Sequence, residues 1–228
     1  MNVYLEYLLD LPKTVYFNIR FLPLSQALNL PIWVSRYVRV KECRGSIIVR
    51  DLHRARVKLG VGRGSFDKGD KHSYLSLAKG SRLVFEGAAK MCSGFVVEVG
   101  EDASMTIGKG FHANYNFICT SNTDVRLGDN FLAGWNVTVR DTDGHEIVYA
   151  NGTVNSDRPI SIGNHVWICS GSSVMKGASL ADDCVVGMNS VITKKMQQSG
   201  CLIVGQPARI VKENIHWSND WTRGMHNE

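Results

Sequence analysis

The stretch from Arg140 to Pro159, RDTDGHEIVYANGTVNSDRP, sets one histidine, His145, among three carboxylates, Asp141, Asp143 and Glu146. An imidazole titrating near pH ~6.5 can take a proton from a weak nucleophile, such as a hydroxyl, close to neutrality. A neighbouring carboxylate can hold its ring in place. His145 has the chemistry of a general base, and Asp143, Asp141 and Glu146 are each close enough in sequence to orient its ring, Asp143 being the first candidate. The plain alternative is a solvated loop histidine.

The loop matters because of what it interrupts. From Ile162 every sixth residue is aliphatic: Ile162, Ile168, Val174, Leu180, Val186, Ile192. Four positions after the first five come Val166, Ser172, Ala178, Cys184 and Ser190, all but Val166 small enough for a tight corner. A period of six is a multiple of the strand period of two, so these side chains share one face of an extended chain. Three such sides make a coil, and stacked coils pair about 4.8 Å apart around an aliphatic interior. The pattern predicts an all-β solenoid of parallel strands, whose hand the spacing does not reveal. A long loop inside such a compact repeat is more often functional than accidental.

Upstream the register is less regular. Leu59 and Leu77 read as one coil apart, with Arg63 to His72 looping out. Ile107, Ala113, Cys119 and Val125 then keep the period, which shifts by two to Leu127, Ala133 and Val139, as an insertion at a corner would produce. After Ile192 the period skips, KKMQQSGCLI bulges, and the pattern resumes at Val204 and Ile210. Residues 1–45 carry no hexad and read as a cap on the open end of the solenoid, with a short helix from Val3 to Leu11 ended by Pro12. An interfacial membrane contact is the alternative for this segment, given its apolar content and Lys13, Arg20 and Arg36. The expected organisation is a cap over 1–45, a solenoid over 46–212 with its excursion at 140–159, and a tail over 213–228. Trp217 and Trp221 of that tail are candidates to dock on the solenoid's flank or on a neighbouring subunit.

The chain has 228 residues, 44% hydrophobic, enough for a full core. Six cysteines occur with no CxxC pair, which suits reduced thiols in a cytoplasm better than a disulfide framework or a zinc cage. Glu6 and Asp10 within the apolar start argue against a signal peptide, and no apolar run approaches a membrane span. The net charge of +5 is uneven. Residues 1–90 hold 16 Lys/Arg against 7 Asp/Glu, and residues 91–228 hold 10 against 14. The basic half favours an anionic partner, such as a phosphorylated cofactor, a nucleotide- or lipid-linked sugar or a membrane surface, or else it is a solvated face. No motif for nucleic acid accompanies the charge.

Residues Ala113 to Ile147, then PISIGNHVWICSGSSVMKGASLADDCVVGMNSVITKK and IVGQPARIV, resemble the hexapeptide-repeat sugar O-acetyltransferases of the galactoside and maltose type. The resemblance covers about the last half of the chain and implies a left-handed parallel β-helix, acetyl-CoA as acyl donor, no metal and a homotrimer with sites between coils. It implies His145 as the base, Asn114 on the acceptor hydroxyl, Trp167 lining the acyl and pantetheine site, and the Ser170 N–H on the thioester oxygen. Coenzyme A is implied along Met188 and Asn189, its phosphates near Thr193, Lys194, Lys195 and Arg209. Where the galactoside enzymes have an aromatic two residues before the asparagine, this chain has His112, so the acceptor is open.

The gamma-class carbonic anhydrases share the solenoid but take two metal ligands from a short histidine pair. His112, His145 and His165 lie 33 and 20 residues apart. The expected activity is acetyl transfer to a sugar hydroxyl in cell-surface or capsular polysaccharide synthesis, on a carrier-linked or polymeric acceptor in the cytoplasm, with a peripheral membrane contact as an option. The alternatives are N-acetylation of a nucleotide-linked amino sugar, or a non-catalytic β-helix scaffold.

Overall fold

The computed structural model describes residues 3–62 and 72–218. Strands repeat in threes, each pairing with the strand one coil away, so the chain winds into a three-sided prism. The first sheet runs from Ile32–Val34 through Val57–Leu59, Ala89–Met91, Phe111–Ala113, Leu132–Ala133, Trp167–Ile168 and Val185–Val186 to Leu202–Gly205, all parallel. The second runs from Val38–Cys43 to Val191–Ile192 and the third from Ser46–Val49 to Lys195–Met196.

The hexad is the interior of this prism. Ile162 pairs with Leu180, Ile168 with Val186 and Val174 with Ile192, one coil apart, and all six side chains are buried. The corner residues Ser172, Ala178, Cys184 and Ser190 are buried as well, where the chain turns too sharply for larger side chains. Leu127, Ala133 and Val139 pair with Ile162, Ile168 and Val174, so the frame continues across the excursion. The shift by two falls at the corner Asn122–Thr123, between strands Ile118–Ser121 and Asp124–Leu127. In the core Phe111 stacks on Phe131 at 5.2 Å, and Phe117 meets the two edge-on at 5.6 and 6.4 Å.

The N-terminal end is closed by helix α1 (Val3–Phe21) and the single turn α2 (Leu24–Ala27). The strand Ile32–Val34 pairs on one side only with its neighbour in the sheet. On its other side the edge groups meet α1: Asn18 donates to the Ile32 carbonyl at 2.7 Å and accepts from the Ile32 N–H at 3.2 Å. Thr14 accepts from the Val34 N–H at 3.0 Å and donates to its carbonyl at 3.2 Å. Two side chains one helical turn apart thus substitute for a missing strand, which removes an edge that would otherwise invite pairing with another chain. Asp10 and Glu6 pair with Arg36 at 2.9 and 2.6 Å and lock the helix to the first corner.

Four expectations change. The helix runs on through Pro12 to Phe21; Pro12 lies on the exposed face, where water can take the place of the backbone donor that proline lacks. The solenoid begins at Ile32, ahead of Ser46, because its first coil lacks the hexad but has the pairing. Leu59 and Leu77 occupy different sheets, since Leu59 pairs with Met91 and Leu77 with Val99. Beyond Ile192 the inward position is Ile203, paired with Val186, and Ile210 lies on an antiparallel return strand that ends the first sheet. The loop expected from Arg63 falls, up to residue 71, outside the described residues.

Candidate functional site

The excursion leaves the prism at the edge between the second and third sheets, after strand Thr138–Arg140. Its base is built on Asp141, which is completely buried. One carboxylate oxygen accepts from the Asn122 N–H at 2.7 Å. The other accepts from the Thr123 N–H at 2.8 Å, the Thr123 hydroxyl at 2.7 Å and the Ser121 hydroxyl at 3.1 Å. Three donors on one buried carboxylate, with the Ser121 hydroxyl shared between it and the Ser104 carbonyl at 2.9 Å, make it a structural anchor. The two residues inserted at the preceding corner are the ones it holds. The returning strand closes onto the same residue, with the Arg158 N–H on the Asp141 carbonyl at 3.1 Å.

Asp143 is engaged further along. Lys176, itself buried, lies 2.7 Å from its carboxylate and donates to the Asn155 carbonyl at 2.7 Å, while Asn155 donates to Asp143 at 2.8 Å. This cluster ties the outgoing and returning arms together and to the next coil. Asp143 therefore helps to hold the loop's shape, and no bond joins it to His145 among the described residues. His145 is exposed at the start of the outer turn and bonds to no described group. Beyond it a small hairpin, bridged at Val148 and Val154, holds Ile147, Val148, Tyr149 and Val154 in the open.

A second group gathers at the edge between the first and second sheets. The corner of Asn114 is followed, coil by coil, by the corners of Gly134, Cys169 and Gly187, so Asn114, Ser170, Met188 and Asn189 share one edge. Asn114 donates its amide to the Ala133 carbonyl at 3.0 Å. The Ser170 hydroxyl accepts from the Trp135 N–H at 3.1 Å and its carbonyl accepts from the Asn189 N–H at 3.1 Å, whereas its own N–H donates to no described group. A Cβ on Gly134 would sit 2.7 Å from that N–H, so glycine keeps the approach to it open. Met188 is exposed and Asn189 turns the corner with φ +55°.

The outer face of the first sheet carries His112, Leu132 and Trp167 in register. Burial first, and then the charge of Lys90, holds the His112 imidazole below its ordinary pKa. Trp167 is 5.8 Å from Trp217, which stacks on His165 at 4.1 Å and donates to its carbonyl at 3.0 Å. The tail thus docks on the solenoid's flank through Trp217; Trp221 lies outside the described residues.

The residues expected to hold coenzyme A do not form one cluster. Ser170, Met188 and Asn189 stand at the first edge. Thr193 and Lys194 stand at the edge of the excursion, two coils beyond it, and Lys195 enters a groove of about 700 Å³ on the third sheet with Arg126 and Ser179. Arg209, on the return strand, donates to the carbonyls of Pro207 and Ala208. Among the described residues no three His, Cys, Asp or Glu side chains group as a metal site would need.

Residues 159–194 match the family model for bacterial transferase hexapeptide repeats. That stretch is built of hexapeptide repeats. The chain is 35% identical over 114 residues to the galactoside O-acetyltransferase of Escherichia coli K12, across 49% of this chain and 55% of that one. It is 31% identical over 147 residues to the polysialic acid O-acetyltransferase of Escherichia coli O1:K1, across 64% of this chain and 45% of the relative. The chain thus spans about half the length of these relatives. Among solved structures, the polySia-specific acetyltransferase superposes with a TM-score of 0.58 at 22% identity, over 81% of this chain and 73% of that one. A second polysialic acid O-acetyltransferase does so at 0.51 and 22%, over 84% and 78%. At this identity the likeness speaks for the fold, the left-handed parallel β-helix.

Two residues of this repeat protein escape sequence reasoning. Lys58 and Lys90 stand outward in direct register, with His112 next in line, and neither lysine has an ion pair among the described residues. Like charges directly opposite each other on a sheet cost stability. Their signal, an outward lysine between the inward pairs Val57/Leu59 and Ala89/Met91, is hidden because 32 residues separate Lys58 from Lys90 where a regular coil would put about 18.

Proposed function

We propose that this protein transfers an acetyl group from acetyl-CoA to a hydroxyl of an acidic sugar in a surface polysaccharide, with His145 as general base. The observation that carries the reading is a free, exposed imidazole on a loop anchored at its base by a fully buried carboxylate. The relatives' sugar O-acetyltransferase activity supports the reaction class. The two outward lysines in register with His112 favour an acceptor bearing acid groups.

In this mechanism His145 takes the hydroxyl proton as the oxygen attacks the thioester carbonyl carbon. The free Ser170 N–H receives the charge that develops on the carbonyl oxygen. The tetrahedral intermediate collapses with cleavage of the C–S bond, and the imidazolium returns its proton to the departing thiolate. No acyl-enzyme forms. Asn114 holds the acceptor hydroxyl, with Lys90 and Lys58 holding acid groups further along the chain. Met188 and Asn189 pair with the pantetheine, Trp167 packs against it, and Thr193, Lys194 and Arg209 hold phosphates.

Because His145 leaves from one edge of the prism and Asn114 and Ser170 lie on another, two copies complete each site, and a homotrimer brings these two edges together at each of three equivalent interfaces. Among the described residues the six cysteines form no disulfide, which suits a cytoplasmic enzyme.

The test is thiol release from acetyl-CoA with acidic and neutral glycans as acceptors. His145→Ala is expected to lower kcat by about 10²- to 10⁴-fold with an unchanged melting point; unchanged turnover removes the base assignment. An acetyl group lost in mild base marks an ester, and one that persists marks an amide.

A further inference from the structure

Helix α1 is amphipathic the wrong way round. The face turned to the solenoid carries Asp10, Thr14 and Asn18 along with Phe17, all buried. The face turned to solvent carries Leu5, Leu8, Pro12, Tyr16 and Ile19, spaced three or four apart and so forming one stripe. Leu8 is 66% exposed and Ile19 56%; α2 and its end extend the apolar surface with Leu24 at 64% and Leu28 at 71%. The inversion has a structural cause, because the polar face is consumed in bonding the edge of the strand Ile32–Val34. That accounts for the buried side and leaves the outer one unexplained, since an apolar stripe of this size on a water-facing helix marks an interaction surface.

Beside the stripe is a pocket of about 310 Å³ whose lining includes Lys13, Tyr16, Arg20, Phe21, Lys41 and Glu42. Three cations meet one carboxylate there. Glu42 is paired with Arg44. The Arg20 guanidinium sits 5.4 Å over the Phe21 ring and the Lys41 ammonium 5.1 Å over the Tyr74 ring, so these cations rest on aromatic faces. Tyr16 belongs to both the stripe and the pocket.

We propose that this end of the molecule docks on an anionic lipid bilayer, with the stripe immersed among the acyl chains and a phosphate headgroup in the Lys13–Arg20–Lys41 pocket. An apolar helix face flanked by cations is the form that interfacial binding requires. A second copy of the chain fits less well, because both partners would bring the same strongly basic end. Among the described residues no helix is long and apolar enough to cross a membrane, so the contact is interfacial.

The test is co-sedimentation of the full chain with vesicles of phosphatidylcholine alone and of phosphatidylcholine mixed with phosphatidylserine. Wild type is expected to pellet with the mixed vesicles only, and less so at high salt. Each cation removed from the pocket is expected to weaken partitioning about 5-fold. L8S/I19S, at exposed positions, is expected to abolish it while leaving the melting point unchanged. A wild-type protein that stays in the supernatant, or an L8S/I19S variant that pellets equally well, overturns the proposal. So does concentration-dependent self-association without vesicles that L8S/I19S removes, which would assign the stripe to a second copy. These readouts need no catalysis, so they stand or fall separately from the acetyl-transfer reading.

Discussion

Replacing Asp141 with Asn changes one atom at the root of the excursion and tests whether that root holds the loop that carries His145. The native carboxylate receives one donor on one oxygen and two on the other, which also shares the Ser121 hydroxyl. An amide keeps one acceptor oxygen and replaces the other with an NH₂ donor. Its better orientation retains the bonds to Ser121 and Thr123 and turns its NH₂ toward the Asn122 N–H, stranding that donor. An unmet buried donor costs about 1–3 kcal/mol. The other bonds weaken as the acceptor loses its charge. A total near 3 kcal/mol follows, a fall in Tm of about 6–12 °C for a chain of this size. His145 is four residues further on, and a displacement near 1 Å costs about 10²-fold in rate. Thermal melting followed by circular dichroism, with thiol-release kinetics below the transition, measures both. A variant that melts within 2 °C (roughly the expected effect of under 1 kcal/mol) and turns over at the wild-type rate refutes the anchor.

Asn18→Leu keeps the volume but leaves the Ile32 N–H and carbonyl unpaired, for an expected loss of about 2–4 kcal/mol. Hydrogen exchange should show the Ile32 amide losing protection before the later coils, and continued protection would contradict the capping role. Gly128→Ala would put a Cβ 2.4 Å from the Gly163 carbonyl oxygen of the next coil, a backbone clash expected to cost about 1–3 kcal/mol in a denaturant titration. His112 is held below its ordinary value, so the unfolded chain binds its proton first as the pH falls. Stability contributed by the neutral ring is present above about pH 6.5 and declines below it. Comparing unfolding midpoints at neutral and acidic pH, wild type should lose more than His112→Gln; equal losses would remove His112 from the account.

What was legible in the sequence was the repeat. The run Ile162 to Ile192 has no insertions, so the interior, the corners and the break at the excursion follow from periodicity, and the shift by two between Val125 and Leu127 could be read as a corner insertion. The register failed where insertions are long. Leu59 and Leu77 kept an 18-residue spacing by coincidence, and the pairing Lys58 to Lys90 was invisible because a side chain's neighbour in a solenoid lies a whole coil away. The candidate base was legible because its loop interrupts a regular pattern.

Its surroundings were not. That Asp141 is wholly buried, that Asp143 is spent on Lys176 and Asn155, and that Thr193 and Lys194 stand on a different edge from Ser170 are facts of three-dimensional stacking. α1 shows the same limit most clearly: its hydrophobic pattern announces a helix, but only the unpaired edge of the first strand determines that its polar side turns inward and its leucines face out. Local spacing specified which side chains share a face, and the neighbouring coil decided which face is buried.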